Sequence, residues 1–315
     1  MRFACIGVGN IGRSWAVTFA RAGYPVRLWD SDRESLSRAQ PLIHKALRDI
    51  AAVDTALDAD KAFKRVQICK TMERAVHDAD YVQESTAERV AVKRQVFNML
   101  SRCTPEQCIL ASSTSAIPGS DFLQRVNVPG RCLIAHPVNP PHIIPLVELC
   151  AAPGTDSDVL QRVKSIMEQL GQAPIVVNSE ITGFVVNRLQ WALLGEAMHL
   201  VAEGYCGVDD IDRVLTKGLA LRWALMGPFE VGHLNATEGL RGYFATLQQA
   251  ITRVQNSLQT DYAPNEKLIS QAHNTLSERV PVSAIADYQR LRDQRLLKLR
   301  RYLDDTDALT DTLDS

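Results

Sequence analysis

The chain has almost no net charge: 35 basic side chains stand against 36 acidic ones among 315 residues, a balance of -1. That removes the long-range positive field by which a nucleic-acid-binding protein gathers a polyanion, so no nucleic-acid partner is expected. Long hydrophobic runs are missing too. No apolar stretch approaches the roughly 20 residues needed to cross a bilayer, and Met1 to Ile6 enter a strand pattern without a basic n-region, an apolar h-region or a cleavage site. The expectation is a cytoplasmic protein with no membrane partner. The 7 cysteines are scattered, odd in number and mostly embedded in apolar strand-like runs, which points to reduced core thiols. Cys103 and Cys108 lack the spacing of zinc ligands and no second pair follows, so no metal is expected. There is no internal repeat, no low-complexity segment and no Gly-x-Ser-x-Gly elbow of a serine hydrolase.

What remains is a globular composition, 46% hydrophobic and 23% charged, long enough for two separate cores. Up to about Val177 the sequence alternates short β-branched runs with helical patterns, the mark of a parallel sheet covered on both faces. The expected strands are Phe3 to Ile6, Val26 to Trp29, Val66 to Cys69, Tyr81 to Gln83, Ile109 to Ser112, Leu133 to His136, Leu146 to Leu149 and Ile175 to Val177. Glu34 to Asp60 reads as a charged helical hairpin projecting from that sheet. After Thr182 the texture becomes helical: Val185, Leu189, Ala192, Leu193, Ala197, Leu200 and Val201 follow a helical period that predicts a central buried helix. Further helices follow, broken at Gly204, Gly218 and Gly227-Pro228. An apolar helical domain this small completes its core against a second copy, so a homodimer is expected. The basic run from Arg290 carries leucines at helical spacing and reads as a solvated helix face.

Gly7-Val8-Gly9-Asn10-Ile11-Gly12 follows an apolar strand and opens a helix, the context that a dinucleotide fingerprint requires. Gly7 permits the tight turn, Gly9 lets the backbone approach a diphosphate, and Gly12 lets helix and strand pack closely, with the diphosphate on the helix N-terminus. Asp30, about 20 residues beyond, can accept hydrogen bonds from ribose hydroxyls and would repel a 2′-phosphate. NAD is therefore the expected cofactor, bound by Gly7, Gly9, Asn10, Ile11, Gly12 and Asp30. The fold class is α/β: residues 1–181 a Rossmann-type, mostly parallel sheet domain, residues 182–315 an all-α domain for substrate and dimerisation.

A second constellation falls at strand ends and at the start of the long helix: Ser113-Thr114-Ser115, His136-Pro137-Val138-Asn139-Pro140, Glu148, and Gly183-Phe184-Val185-Val186-Asn187-Arg188. Oxidising an alcohol needs a base for the hydroxyl proton, and imidazole is the side chain matched to neutral pH. His136, ending an apolar strand, would face the cofactor crevice, and Glu148, beyond a proline-rich turn, could fold back to hold its ring. Ser115 and Asn187 would then contact the reacting oxygen.

In these motifs the chain resembles the 3-hydroxyacyl-CoA dehydrogenase superfamily, whose Asn-Thr-Ser, His-x-x-Asn-Pro, Glu and Gly-Phe-x-x-Asn-Arg elements appear in the same order, the first as Ser113-Thr114-Ser115. The resemblance implies a catalytic His136–Glu148 pair with Ser115 and Asn187 on the substrate oxygen. It also implies Asn139 beside the substrate, and Glu88 and Lys93 near cofactor or substrate. Within the superfamily it runs towards the L-gulonate 3-dehydrogenases and lambda-crystallins, through His136-Pro-Val-Asn-Pro-Pro, Asn187-Arg-Leu-Gln and His233-Leu-Asn-Ala. L-Carnitine dehydrogenases share Ser113-Thr-Ser, Gln83-Glu-Ser and Leu221-Arg222-Trp223, but Asn187 leans towards gulonate. Arg222 departs from the acyl-CoA branch and suits bidentate binding of a free carboxylate. The expected partner is a small hydroxy acid oxidised at its 3-hydroxyl. The alternatives are carnitine, a 3-hydroxybutyryl-CoA thioester, or a non-enzymatic crystallin-like or nucleotide-sensing role.

Overall fold

All eight expected strands are present in the computed structural model, which describes residues 1–310 and their side chains through Asp305. They are β1 (Phe3–Ile6), β2 (Val26–Trp29), β3 (Val66–Ile68), β4 (Tyr81–Glu84), β5 (Ile109–Ser112), β6 (Cys132–Pro137), β7 (Leu146–Ala151) and β8 (Ala173–Val177). They form one sheet ordered β3-β2-β1-β4-β5-β6-β7-β8, in which every neighbouring pair is parallel except the antiparallel β6 and β7. β1, β4, β5 and β6 are buried along their whole lengths, which is why β1, β5 and β6 appear in the sequence as mostly apolar runs rather than alternating ones, whereas β4 buries the polar Gln83 and Glu84. The strand order reverses at β1, between β2 and β4. In sheets of this kind ligands bind beyond the carboxyl ends of the strands at such a reversal.

Helices α1 (Asn10–Arg21), α2 (Arg33–Ala51), α3 (Ala59–Phe63), α4 (Met72–Val76), α5 (Val90–Cys103) and α6 (Ser157–Gln169) accompany these strands. One buried cluster holds Phe3, Trp15, Phe19, Val26 and Leu28, and a second holds the strand residues of opposite parity Ala4, Ile6, Val82, Leu110 and Ile134 together with Phe97 of α5. The stretch expected to project does not. Leu36, Ala39, Ile43, Leu47 and Ile50 of α2 join the first cluster, because their i, i+3, i+4 spacing gives α2 an apolar stripe that packs beside α1. All seven cysteines are free, and burial pushes the Cys108 and Cys132 thiols up to about 12, so they serve as packing groups.

The chain divides into two compact units. Met1–Asn187 with Asp293–Arg300 form the first, and Arg188–Arg292 with the described residues from Arg301 the second. The second is helical: it holds most of α7 (Val186–Ala202), then α8 (Val208–Val214), α9 (Ala220–Trp223), α10 (Pro228–Leu234), α11 (Gly239–Gln255), α12 (Glu266–Arg279) and parts of α13 (Ile285–Thr310). Gly218 does not break a helix; it lies within one π-helical turn, Leu215–Leu219, that carries α8 straight into α9. Helix α7 is also not buried as its apolar period suggests: of its 17 residues only Gly195 and Val201 are buried, and Trp191 is exposed. The basic run of α13 is only partly a solvated face, since Leu297 is buried in the first unit's core and Arg300 donates to the carbonyls of Ile143 and Gly171. Among the described residues no helix is long and apolar enough to cross a membrane, and no cluster of His, Cys, Asp or Glu could hold a metal ion.

Candidate active site

The loop between β1 and α1 is shaped by its glycines. Gly7 has a φ of +92°, and a Cβ there would lie 2.5 Å from the Ser85 carbonyl oxygen, so only glycine makes this turn. A Cβ on Gly12 would fall 1.8 Å from the Gly7 carbonyl oxygen, which fixes how closely α1 can approach β1. Gly9 differs from both, because a Cβ there would meet nothing within 4 Å. It is also the N-cap of α1, and no side chain caps that terminus. Among the described residues the first N–H groups of the helix therefore have no side-chain partner just where the loop leaves open space, which suits an anionic diphosphate. Asn10 opens α1 with its side-chain oxygen held by Arg13 at 2.6 Å, and Ile11 is partly buried against the core. Asp30, just past β2, accepts from the Val8 amide at 2.8 Å and the Asp32 amide at 2.9 Å. A carboxylate has lone pairs beyond these two, so it can brace the loop and still receive ribose hydroxyls. The residues present fit a dinucleotide.

His136 and Glu148 are partners in the antiparallel β6–β7 register. Their side chains meet with His136 Nδ1 2.7 Å from Glu148 Oε2, both buried. A carboxylate only accepts, so Nδ1 carries the proton and the neutral ring presents its lone pair at Nε2. The other carboxylate oxygen, Glu148 Oε1, accepts the amides of Val185 at 2.8 Å and Val186 at 3.0 Å. These amides are aimed by the residues before them: Gly183 and Phe184 both have positive φ, +77° and +49°. Phe184 is buried and its ring centroid lies 5.3 Å from that of His136. Burial alone would raise the Glu148 carboxyl, but the His136 hydrogen bond and the two amides hold it below the usual carboxylate range.

From that helix start a chain of contacts reaches the serine-rich turn. Asn187 Nδ2 donates to the Ser115 carbonyl oxygen at 2.7 Å. Glu88 Oε1 in turn receives the Thr114 hydroxyl at 2.6 Å and the amides of Ser115 and Ala116 at 2.8 and 3.0 Å. Burial would raise the Glu88 carboxyl as well, yet the Thr114 hydroxyl, the Lys93 charge and these amides hold it low. Lys93 is itself buried, with Nζ 3.1 Å from Glu84 and 3.4 Å from Glu88. Glu84 also takes the hydroxyls of Thr86 and Ser112. His136, Glu148, Asn187, Ser115, Glu88 and Lys93 thus belong to one connected network. Asn139 stands apart from it: it is exposed, and among the described residues its side chain has no hydrogen-bond partner. Arg222 is exposed on α9 of the second unit. Glu84, Thr86 and Ser112 lie within the motifs that the sequence offers, but sequence reasoning gives them no role of their own, and it missed the use made of Gly183-Phe184, although a glycine before a helix start was the available sign of a left-handed turn.

Residues 2–181 match the model of the 3-hydroxyacyl-CoA dehydrogenase NAD binding domain, and residues 183–274 that of the 3-hydroxyacyl-CoA dehydrogenase C-terminal domain. Lambda-crystallin of Oryctolagus cuniculus is 33% identical over 306 residues, covering 95% of this chain and 96% of its own. L-Carnitine dehydrogenase of Streptomyces coelicolor is 38% identical over 238 residues, 76% of this chain and 74% of its own. Among solved structures, an NAD+-dependent dismutase, 5-formyl-3-hydroxy-2-methylpyridine 4-carboxylic acid 5-dehydrogenase, superposes with a TM-score of 0.83 at 26% identity, over 96% of this chain and 98% of the other. Two matched domains spanning most of the chain, on a sheet whose glycine loop fits a dinucleotide, establish that it belongs to the NAD-dependent 3-hydroxyacyl-CoA dehydrogenase family.

Proposed function

We propose that the protein oxidises the 3-hydroxyl of a small free hydroxy acid, with His136 as the base and L-gulonate as the first substrate to try. The observation that carries this reading is the buried His136–Glu148 pair, which leaves Nε2 as a proton acceptor and keeps a carboxylate against the ring when it becomes charged. When bound, NAD supplies the acceptor for the hydride that leaves the carbinol carbon. His136 takes the hydroxyl proton, and Glu148, held as an anion by two backbone amides, stabilises the imidazolium. Asn187 and Ser115, joined through one hydrogen bond, orient the reacting oxygen. Glu88 holds the turn that bears Ser115. Arg222 anchors the substrate carboxylate, the feature that favours a free acid over a thioester.

The likeness to lambda-crystallin and to L-carnitine dehydrogenase supports a free-acid substrate without choosing among acids. The protein works as a homodimer, for the apolar face of α7 is otherwise left in water. A spectrophotometric screen of NAD reduction with L-gulonate, L-carnitine, 3-hydroxybutyrate and 3-hydroxybutyryl-CoA tests the proposal. The free acids should turn over, and Arg222→Met should raise their KM at least tenfold, the loss expected for a charged bidentate contact. Turnover of the thioester alone would contradict the free-acid reading, and absence of any NADH would favour a crystallin-like role.

A further inference from the structure

The Ser113 hydroxyl sits at a junction of three polar side chains. Trp15 Nε1 lies 3.2 Å from it, Gln83 Nε2 2.7 Å and Ser85 Oγ 2.9 Å. The donor inventory fixes where each proton points. An indole N–H can only donate. The Gln83 amide cannot be turned over, because Nε2 also reaches the Ala135 carbonyl oxygen at 3.2 Å, which accepts only, while Oε1 receives the Tyr81 hydroxyl at 2.8 Å. Ser113 Oγ thus accepts from both Trp15 and Gln83, which fills its two lone pairs, and its own proton goes to the neighbour that is left, Ser85 Oγ. Ser85 therefore keeps an O–H proton that no acceptor among the described residues takes.

The place of that hydroxyl gives it a use. Ser85 follows β4 directly, and since Glu84 pairs with Ile6 and the Ser85 amide donates to the Ile6 carbonyl at 2.7 Å, Ser85 stands opposite Gly7. A Cβ on Gly12 would lie 3.5 Å from the Ser85 Cβ, so the serine borders the glycine loop on both turns. This is the edge between β1 and β4 where the strand order reverses. Trp15 and Gln83 are both fully buried, so the relay that orients Ser85 is rigid before any ligand arrives.

We propose that Ser85 is a cofactor-binding residue: its hydroxyl donates to an oxygen of the dinucleotide's diphosphate–ribose segment, with Trp15 and Gln83 fixing its direction through Ser113. The inference rests on NAD occupying the glycine loop, and a control variant separates the two. NADH affinity is measured by fluorescence titration of Ser85→Ala and Asp30→Ala, with the melting temperature of each cofactor-free protein beside it. Ser85→Ala should weaken NADH binding about tenfold, as for loss of a hydrogen bond to a charged or strongly accepting oxygen, with an unchanged cofactor-free melting temperature. Wild-type affinity in Ser85→Ala while Asp30→Ala is weakened would overturn the role of Ser85 alone. Wild-type affinity in both would overturn the cofactor reading of the loop with it. A loss of affinity accompanied by a comparable fall in melting temperature would also overturn the proposal, since Ser85 would then be a structural residue.

Discussion

Glu148 shows how much one carboxylate can be asked to do. Its two oxygens serve different elements: Oε2 meets the His136 ring, and Oε1 caps the start of α7 through Val185 and Val186. In Glu148→Gln the single amide oxygen can serve either the ring or the helix start: left on the two backbone amides, it turns the amide N–H towards Nδ1, which moves the ring proton to Nε2 and removes the base, and in either orientation the positive charge formed on His136 has no anion. We expect kcat to fall at least about 100-fold, measured by NADH formation at saturating substrate. The same substitution should alter the acid limb of stability. The Glu148 carboxyl titrates lower folded than unfolded, so the anion's contribution is complete above the unfolded value of about 4.3 and is lost as the pH falls through the lower folded value. Melting temperatures recorded from neutral pH to about pH 3 should fall less steeply in Glu148→Gln over that acid window than in the wild type. Equal slopes would mean that the anion is not what the fold selects.

At the scale of elements, the glycine loop separates fold from binding. Gly12 has no room for a Cβ and Gly9 has open space, yet both belong to one motif. Gly12→Ala should therefore lower the cofactor-free melting temperature by several degrees, since the Gly7 backbone must move to admit it. Gly9→Ala should melt like the wild type and bind NADH at least tenfold more weakly, because its Cβ enters the space left for the diphosphate. Loss of stability in both variants would show that Gly9 too is a packing residue. These elements were readable in the sequence because buried parallel strands are continuous apolar runs and the fingerprint glycines are fixed by local sterics. His136 and Glu148 were readable as a pair because only one turn, with its prolines, separates β6 from β7. What escaped depends on distant pairing. Nothing local says that Glu148 will cap a helix 37 residues onward, or that Lys93 will be buried against Glu84, since charged residues on a helix ordinarily face water. Helix α7 misled for a related reason: an apolar period reports that a face is to be covered, not that its own chain covers it.

For the whole molecule, that uncovered face is the strongest structural demand. On α7 Leu189 is 67% exposed, Trp191 54% and Leu194 49%, more apolar surface than a lone helix keeps in water. Sedimentation at micromolar concentration should return twice the 34.9 kDa of the chain, and Trp191→Asp should shift the population to monomer. A single-chain mass for the wild type would leave the face to some other partner.

Most direct of all is the exchange of His136 for glutamine, followed by NADH formation under single-turnover conditions, with NADH affinity and melting temperature measured on the same sample. If the imidazole takes the substrate proton, the chemical rate falls by several orders of magnitude while cofactor affinity and stability hold. A near-normal rate would contradict the role of the His136–Glu148 pair on which the mechanism stands.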